Sequence, residues 1–207
     1  MSEENTNRNW YHSFCDWLAF IISAFFSPYV TALVFIVLIS YKYASDLSQF
    51  LPWMVTFLLF AIVIPGFYVL WLLEAKKIRD IHISDKNDRK VPFLLAGISS
   101  VIGAFLLYFL HAAKPVTTIG TAYAVNVVGV ALLTQVWKVS IHTALYSAIA
   151  TTAVILFGTQ LWWLYLILIP LAWSRIHRHR HTIWQAVAGS LIAFVLTAAV
   201  FWIFGYL

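Results

Sequence analysis

Between Thr143 and Trp173 the chain reads TALYSAIATTAVILFGTQLWWLYLILIPLAW, and the division of this stretch decides the fold. It can be taken as one long interrupted span or as two short limbs. The tripeptide Gly158-Thr159-Gln160 is a turn signal between an apolar run at 143–159 and another at 161–173, so we read a hairpin. With a hairpin, the N-terminus, the 74–91 loop, the 138–142 junction and the 174–182 junction all share one face. A single polar site then becomes possible there.

Working outward, further apolar runs lie at 18–40, 50–73, 92–111, 119–137 and 183–204, most of them near the ~20 residues that cross ~30 Å of hydrocarbon. Of 207 residues, 62% are hydrophobic and 10% charged, which excludes a dispersed soluble domain. The expectation is an all-α transmembrane helix bundle of about six to seven spans, forming one integral membrane domain over residues 1–207. The first run follows a polar segment at 1–9, is long for a signal-peptide core and lacks a small-residue cleavage site. It therefore reads as a retained helix, with the residues before it loose or interfacial. Trp10, Trp17, Trp53, Trp71, Trp137, Trp173 and Trp184 fall near run ends, where an indole buries its ring and keeps its N–H wet. Kinks are expected at Pro28, Pro65 and Pro170. A lone Cys15 excludes an intramolecular disulfide and a cysteine metal cluster.

Arg8, Lys76, Lys77, Arg79, Lys86, Arg89, Lys90, Lys138, Arg175, Arg178 and Arg180 belong to the hairpin's open face, against Lys42 and Lys114 on the other. By the positive-inside rule the basic face is cytoplasmic, and a prokaryotic inner membrane is the expected location. The net charge of +5 sits in short juxtamembrane loops, so the expected partners are the bilayer and anionic headgroups, not nucleic acid.

Chemistry concentrates in Ser174-Arg175-Ile176-His177-Arg178-His179-Arg180-His181-Thr182-Ile183-Trp184-Gln185. On a continuing helix His181 and Gln185 stand one turn apart, so the amide can hold one ring nitrogen and leave the other to react. Arg175, six residues earlier, can bring a guanidinium fork to the same phosphate. The junction before it, Lys138-Val139-Ser140-Ile141-His142, places Ser140 as a helix N-cap and His142 in the first turn, where backbone N–H groups receive an anion.

In these motifs the chain resembles the type 2 phosphatidic acid phosphatase superfamily, which also contains vanadium haloperoxidases. Its third motif matches Ser174, Arg175 and His181, with Gln185 at the aspartate position. Its second is matched by Ser140 and His142, with Val139 and Ile141 in place of proline and glycine. Its first is met loosely by His82 and Arg89, followed by Lys90, with Pro92 displaced by two and Lys86 able to supply a cation. The resemblance covers about residues 89–189 and implies a core at about 89–205, preceded by helices at 18–73. It implies that His181 attacks phosphorus to give a phosphohistidine, oriented by Gln185, while His142 protonates the leaving alkoxide and later activates water. Arg175, Ser140, Arg89, Lys86, Lys90, Ser174 and His82 would surround the phosphoryl oxygens, and neither cofactor nor metal is required. The implied substrate is a lipid phosphate or diphosphate, of phosphatidate, phosphatidylglycerol phosphate or polyprenyl phosphate type.

Two alternatives stay open. Gln185 in place of a carboxylate motivates a catalytically silent relative that binds lipid or a partner protein. Asp80, Asp85 and Asp88 motivate a Mg²⁺-dependent enzyme using a prenyl diphosphate, although mixed charges at 85–90 more simply form surface pairs. His12 and His111 read as interfacial, His177 and His179 as headgroup contacts or spacers, and Asn126 and Gln135 as interhelical hydrogen-bonding groups.

Overall fold

The computed structural model describes residues 3–78, 88 and 90–207, with side chains from Ser13 onward. Among them the chain is helical, with no strand. The helices are α1 (Glu3–Phe25), α2 (Pro28–Tyr43), α3 (Leu47–Phe57), α4 (Ile64–Glu74), α5 (Lys90–Phe109), α6 (Lys114–Val136), α7 (Ile141–Phe157), α8 (Leu168–His177) and α9 (Ile183–Ile203). Each apolar run of the sequence coincides with one or two of these. Four rods are long and apolar enough to cross a membrane: Leu47–Glu74, α5, α6 and α9. The bent pair of α1 and α2 makes a possible fifth, and α7 is apolar but shorter, at 17 residues. The chain is thus a helical membrane protein.

The hairpin forms at Gly158. Its φ of +106° is open to glycine and strained for any other residue, and its N–H closes α7 on Val154 O at 3.1 Å. The returning limb is not α-helical at first: Thr159–Ile167 winds as a 3₁₀ helix of nine residues before α8 adds ten. A 3₁₀ helix rises about 2.0 Å per residue and an α-helix about 1.5 Å, so this short limb reaches about 33 Å. Tighter winding lengthens a run that looked too short to cross.

Proline acts differently at each position. Pro28 opens α2 after the Ser27 N-cap, and α1 meets α2 at a 40° bend, so the run at 18–40 is two helices instead of one. Residues 3–9, expected to be loose or interfacial, continue α1. Pro65 follows a π-helical stretch, Leu58–Val63, that joins α3 to α4. Its missing N–H frees the Ala61 carbonyl, which accepts the Tyr123 hydroxyl at 3.1 Å, and the Phe60 carbonyl accepts the Ser99 hydroxyl at 2.7 Å. Pro170 lies in the first turn of α8, where the 3₁₀ winding gives way to α-helix.

Large apolar side chains such as Leu94, Phe105, Leu191 and Trp202 face outward, while small residues line the helix contacts. Trp53 does not join the interfacial belt: it is buried with Phe57, Leu107 and Val116, because it falls nearly two turns inside α3 and faces the bundle.

Candidate active site

The junctions before α7 and before α9 are stitched together. Ser140 N–H donates to Gln185 O at 3.1 Å, the Thr143 hydroxyl to Ala186 O at 2.9 Å and the Ser147 hydroxyl to Ser190 O at 2.8 Å. Gly189 permits this approach, since a Cβ there would lie 2.7 Å from Ser140 O. The hairpin expectation therefore holds in its main consequence, that both histidine motifs meet.

They meet on a cavity of about 560 Å³. Lys138, His142, Arg175, Arg178, Arg180 and His181 line one part of it, and apolar residues such as Phe35, Phe57, Ile119, Leu145 and Ile149 line its body. Three buried polar atoms of its lining residues, Arg175 Nε, Thr134 Oγ1 and Asn126 Oδ1, have no hydrogen-bond partner. An unsatisfied buried polar atom costs about 1–3 kcal/mol, so an occupant carrying polar groups is favoured.

The end of α8 explains how His181 returns over Arg175. His179 adopts φ +52°, its N–H donates to Ile176 O at 2.9 Å, and Arg180 N–H donates to Arg175 O at 3.0 Å. This is a Schellman turn with histidine in the left-handed position. His181 N–H then reaches Arg175 O at 3.3 Å. Thr182 caps α9 in a reciprocal box with Gln185: Gln185 N–H donates to Thr182 Oγ1 at 3.3 Å, and Thr182 N–H to Gln185 Oε1 at 3.2 Å.

That cap also fixes the chemistry of the ring. Because a backbone N–H only donates, the atom facing Thr182 is the amide oxygen. The same Oε1 lies 3.2 Å from His181 Nδ1, so Nδ1 carries a proton and, in the neutral ring, the lone pair belongs to Nε2. Arg175 is 2% exposed, past the apolar run that ends at Trp173.

His181, His142, Gln185 and Arg175 are thus assembled around this cavity and its rim. Ser140 is fully buried at the N-cap of α7, where its hydroxyl accepts Thr143 N–H, and it does not line the cavity. Ser174 is likewise fully buried and donates to Leu171 O at 2.7 Å, as a polar side chain satisfying its own helix. Lys90 is exposed at the start of α5 and does not line the cavity, although Pro92 and Phe93 just after it do. Arg89, Lys86 and His82, with Asp80 and Asp85, lie outside the described residues. His177 stacks on Trp173 and pairs with Asp16 at 2.8 Å. Asn126 bridges helices as expected, donating to Thr197 Oγ1 at 2.9 Å, whereas Gln135 is exposed. Among the described residues no cluster of three His, Cys, Asp or Glu side chains is placed to hold a metal ion.

Sequence reading missed Ser23, whose hydroxyl accepts from Arg175 Nη1, and Phe20, whose ring lies 5.2 Å from the Arg178 guanidinium carbon. The only signal was a polar residue within the apolar string Ala19-Phe20-Ile21-Ile22-Ser23-Ala24-Phe25. No family model, curated protein or solved structure matches the chain.

Proposed function

We propose that this protein is an integral membrane phosphatase that hydrolyses a lipid phosphate or diphosphate. The reading is carried by one observation: His142, His181 with its proton held on Nδ1, and Arg175 with an unpartnered Nε all line one cavity whose body is apolar. Apolar walls suit a lipid tail, and a basic mouth suits its phosphate. His181 Nε2 attacks phosphorus as the bond to the lipid oxygen breaks, and His142 gives that oxygen its proton. His142 then takes a proton from water, whose oxygen attacks phosphorus and releases the His181 nitrogen. Arg175 binds the non-bridging oxygens, and Lys138, Arg178 and Arg180 add positive potential where negative charge spreads during transfer.

In the same reading the chain crosses the membrane seven times: the α1–α2 pair, Leu47–Glu74, α5, α6, α7, the 159–177 limb and α9. The excess of cations on the face of the site supports a cytoplasmic orientation for it, and the reading takes the membrane to be a prokaryotic inner membrane. The test is phosphate release in detergent from phosphatidate, phosphatidylglycerol phosphate and polyprenyl mono- and diphosphates. Wild type releases phosphate from at least one and His181→Ala from none. No release from any of them by wild type sinks the phosphatase.

A silent lipid-binding protein is the second reading, favoured by the engagement of Gln185 Oε1 with both the α9 cap and His181. An amide orients the ring without stabilising an imidazolium. Lipid phosphate that binds without turnover, and turnover gained in Gln185→Glu, would mark this protein out.

A further inference from the structure

We infer that α1, which lies outside the stretch resembling the phosphatase superfamily, completes the phosphate site, with Ser23 as the positioning residue of Arg175. This rests on the reading of the cavity mouth as a phosphate site. Asp16, Phe20 and Ser23 follow one another at intervals of four and three residues, so they form a single stripe of α1. That stripe meets the end of α8 three times: Asp16 at His177, Phe20 at Arg178 and Ser23 at Arg175. Phe20 and Ser23 also line the cavity, beside both arginines.

The geometry at Arg175 is selective. A guanidinium has five N–H groups in a fixed plane, and a carboxylate or phosphate binds two of them along one edge. Ser23, itself 3% exposed, accepts from Nη1, on the side of the group away from Nε. The Nε–Nη2 edge is then held for a ligand, and Nε has no protein partner. Without the Ser23 hydroxyl the planar head loses the contact that fixes its rotation, and Nη1 loses an acceptor in a buried place. Phe20 performs a related service for Arg178, holding its cation against a ring face at the same mouth.

The experiment uses the full chain in detergent, with Ser23→Ala, Ser23→Thr and Ser23→Val. The last two have nearly the same shape and differ in the hydroxyl. Inorganic orthovanadate, a phosphate-shaped oxyanion, is titrated as a protectant against thermal unfolding. We expect half-protection to need about tenfold more vanadate in the Ala and Val variants than in wild type and Ser23→Thr, the scale of one lost hydrogen bond to a charged group. With a hydrolysed lipid phosphate, the same variants raise KM more than they lower kcat. Equal vanadate responses across all four proteins overturn the inference, as does an unprotected wild type. A lower unfolding temperature in Ala and Val with unchanged vanadate dependence assigns Ser23 to folding alone and also overturns it. Lipid turnover is scored separately. A vanadate response graded by residue 23 without turnover keeps this inference and removes the phosphatase, and turnover indifferent to residue 23 does the reverse.

Discussion

Gly189→Ala tests the junction on which the candidate site depends. The added Cβ would lie 2.7 Å from Ser140 O, 3.2 Å from Thr143 Oγ1 and 3.4 Å from Ser140 N. Carbon and carbonyl oxygen approach to about 3.3 Å in ordinary close contacts, so the backbones of α7 and α9 must part by about 0.6 Å. Neither side has a flexible tip to yield, because the obstacle is the carbonyl that precedes α7. Overpacking of this kind costs about 1–3 kcal/mol, which lowers the unfolding temperature in detergent. The displacement also separates His142, two residues past Ser140, from His181 and Gln185 at the start of α9. Misplacement by about 1 Å can cost about 10² in rate, so phosphate release should fall by about 10- to 100-fold. Gly97→Ala is the control, since its Cβ would meet only the Val128 Cγ2 methyl at 3.4 Å. Unfolding temperature and phosphate release by continuous assay are read on both variants. A Gly189→Ala protein with wild-type unfolding and wild-type rate refutes the argument that this glycine sets the distance between the junctions. Equal losses in Gly97→Ala would show that the effect belongs to glycine replacement in general.

Two further outcomes follow from turns and caps. His179→Gly removes a left-handed histidine and should stabilise the protein by up to about 1 kcal/mol while leaving phosphate release intact; a loss of release would show that the imidazole acts in the site. At Asp46 the Ser48 hydroxyl, then the Gln49 N–H, hold the carboxyl below its ordinary value, so its cap on α3 is present above the unfolded carboxylate range and lost as pH falls through the folded value. Thermal unfolding of wild type should therefore lose this stabilisation at acid pH while Asp46→Asn, which caps in either condition, does not share that loss; parallel pH profiles would remove Asp46 from the account.

The fold was legible where sequence pattern and geometry share a cause. Gly158 announced a turn because its backbone angle needs glycine, and the apolar runs announced helices because lipid allows few other structures. The 3₁₀ limb was not legible, since a wholly apolar run has no polar face whose period could separate three residues per turn from 3.6. At the site, spacing gave the right partners for the wrong reason: the expected continuing helix breaks between His177 and Ile183, so Gln185 meets His181 through the cap of α9 and not one turn along a helix. The hydroxyls of Ser140 and Ser174 were not readable, because a serine that meets a ligand and one that satisfies its own helix look alike in sequence. Ser23 was hidden for another reason: its partner, Arg175, is 152 residues away, and only packing brings α1 to α8.

One amide oxygen, Gln185 Oε1, serves both the start of α9 and the ring of His181. Selection therefore acts on this side chain with two pressures at once. A shorter or apolar residue would weaken the start of the helix and release the tautomer in the same step, so mutational scans reporting only protein abundance would register part of a change in chemistry as a loss of folding.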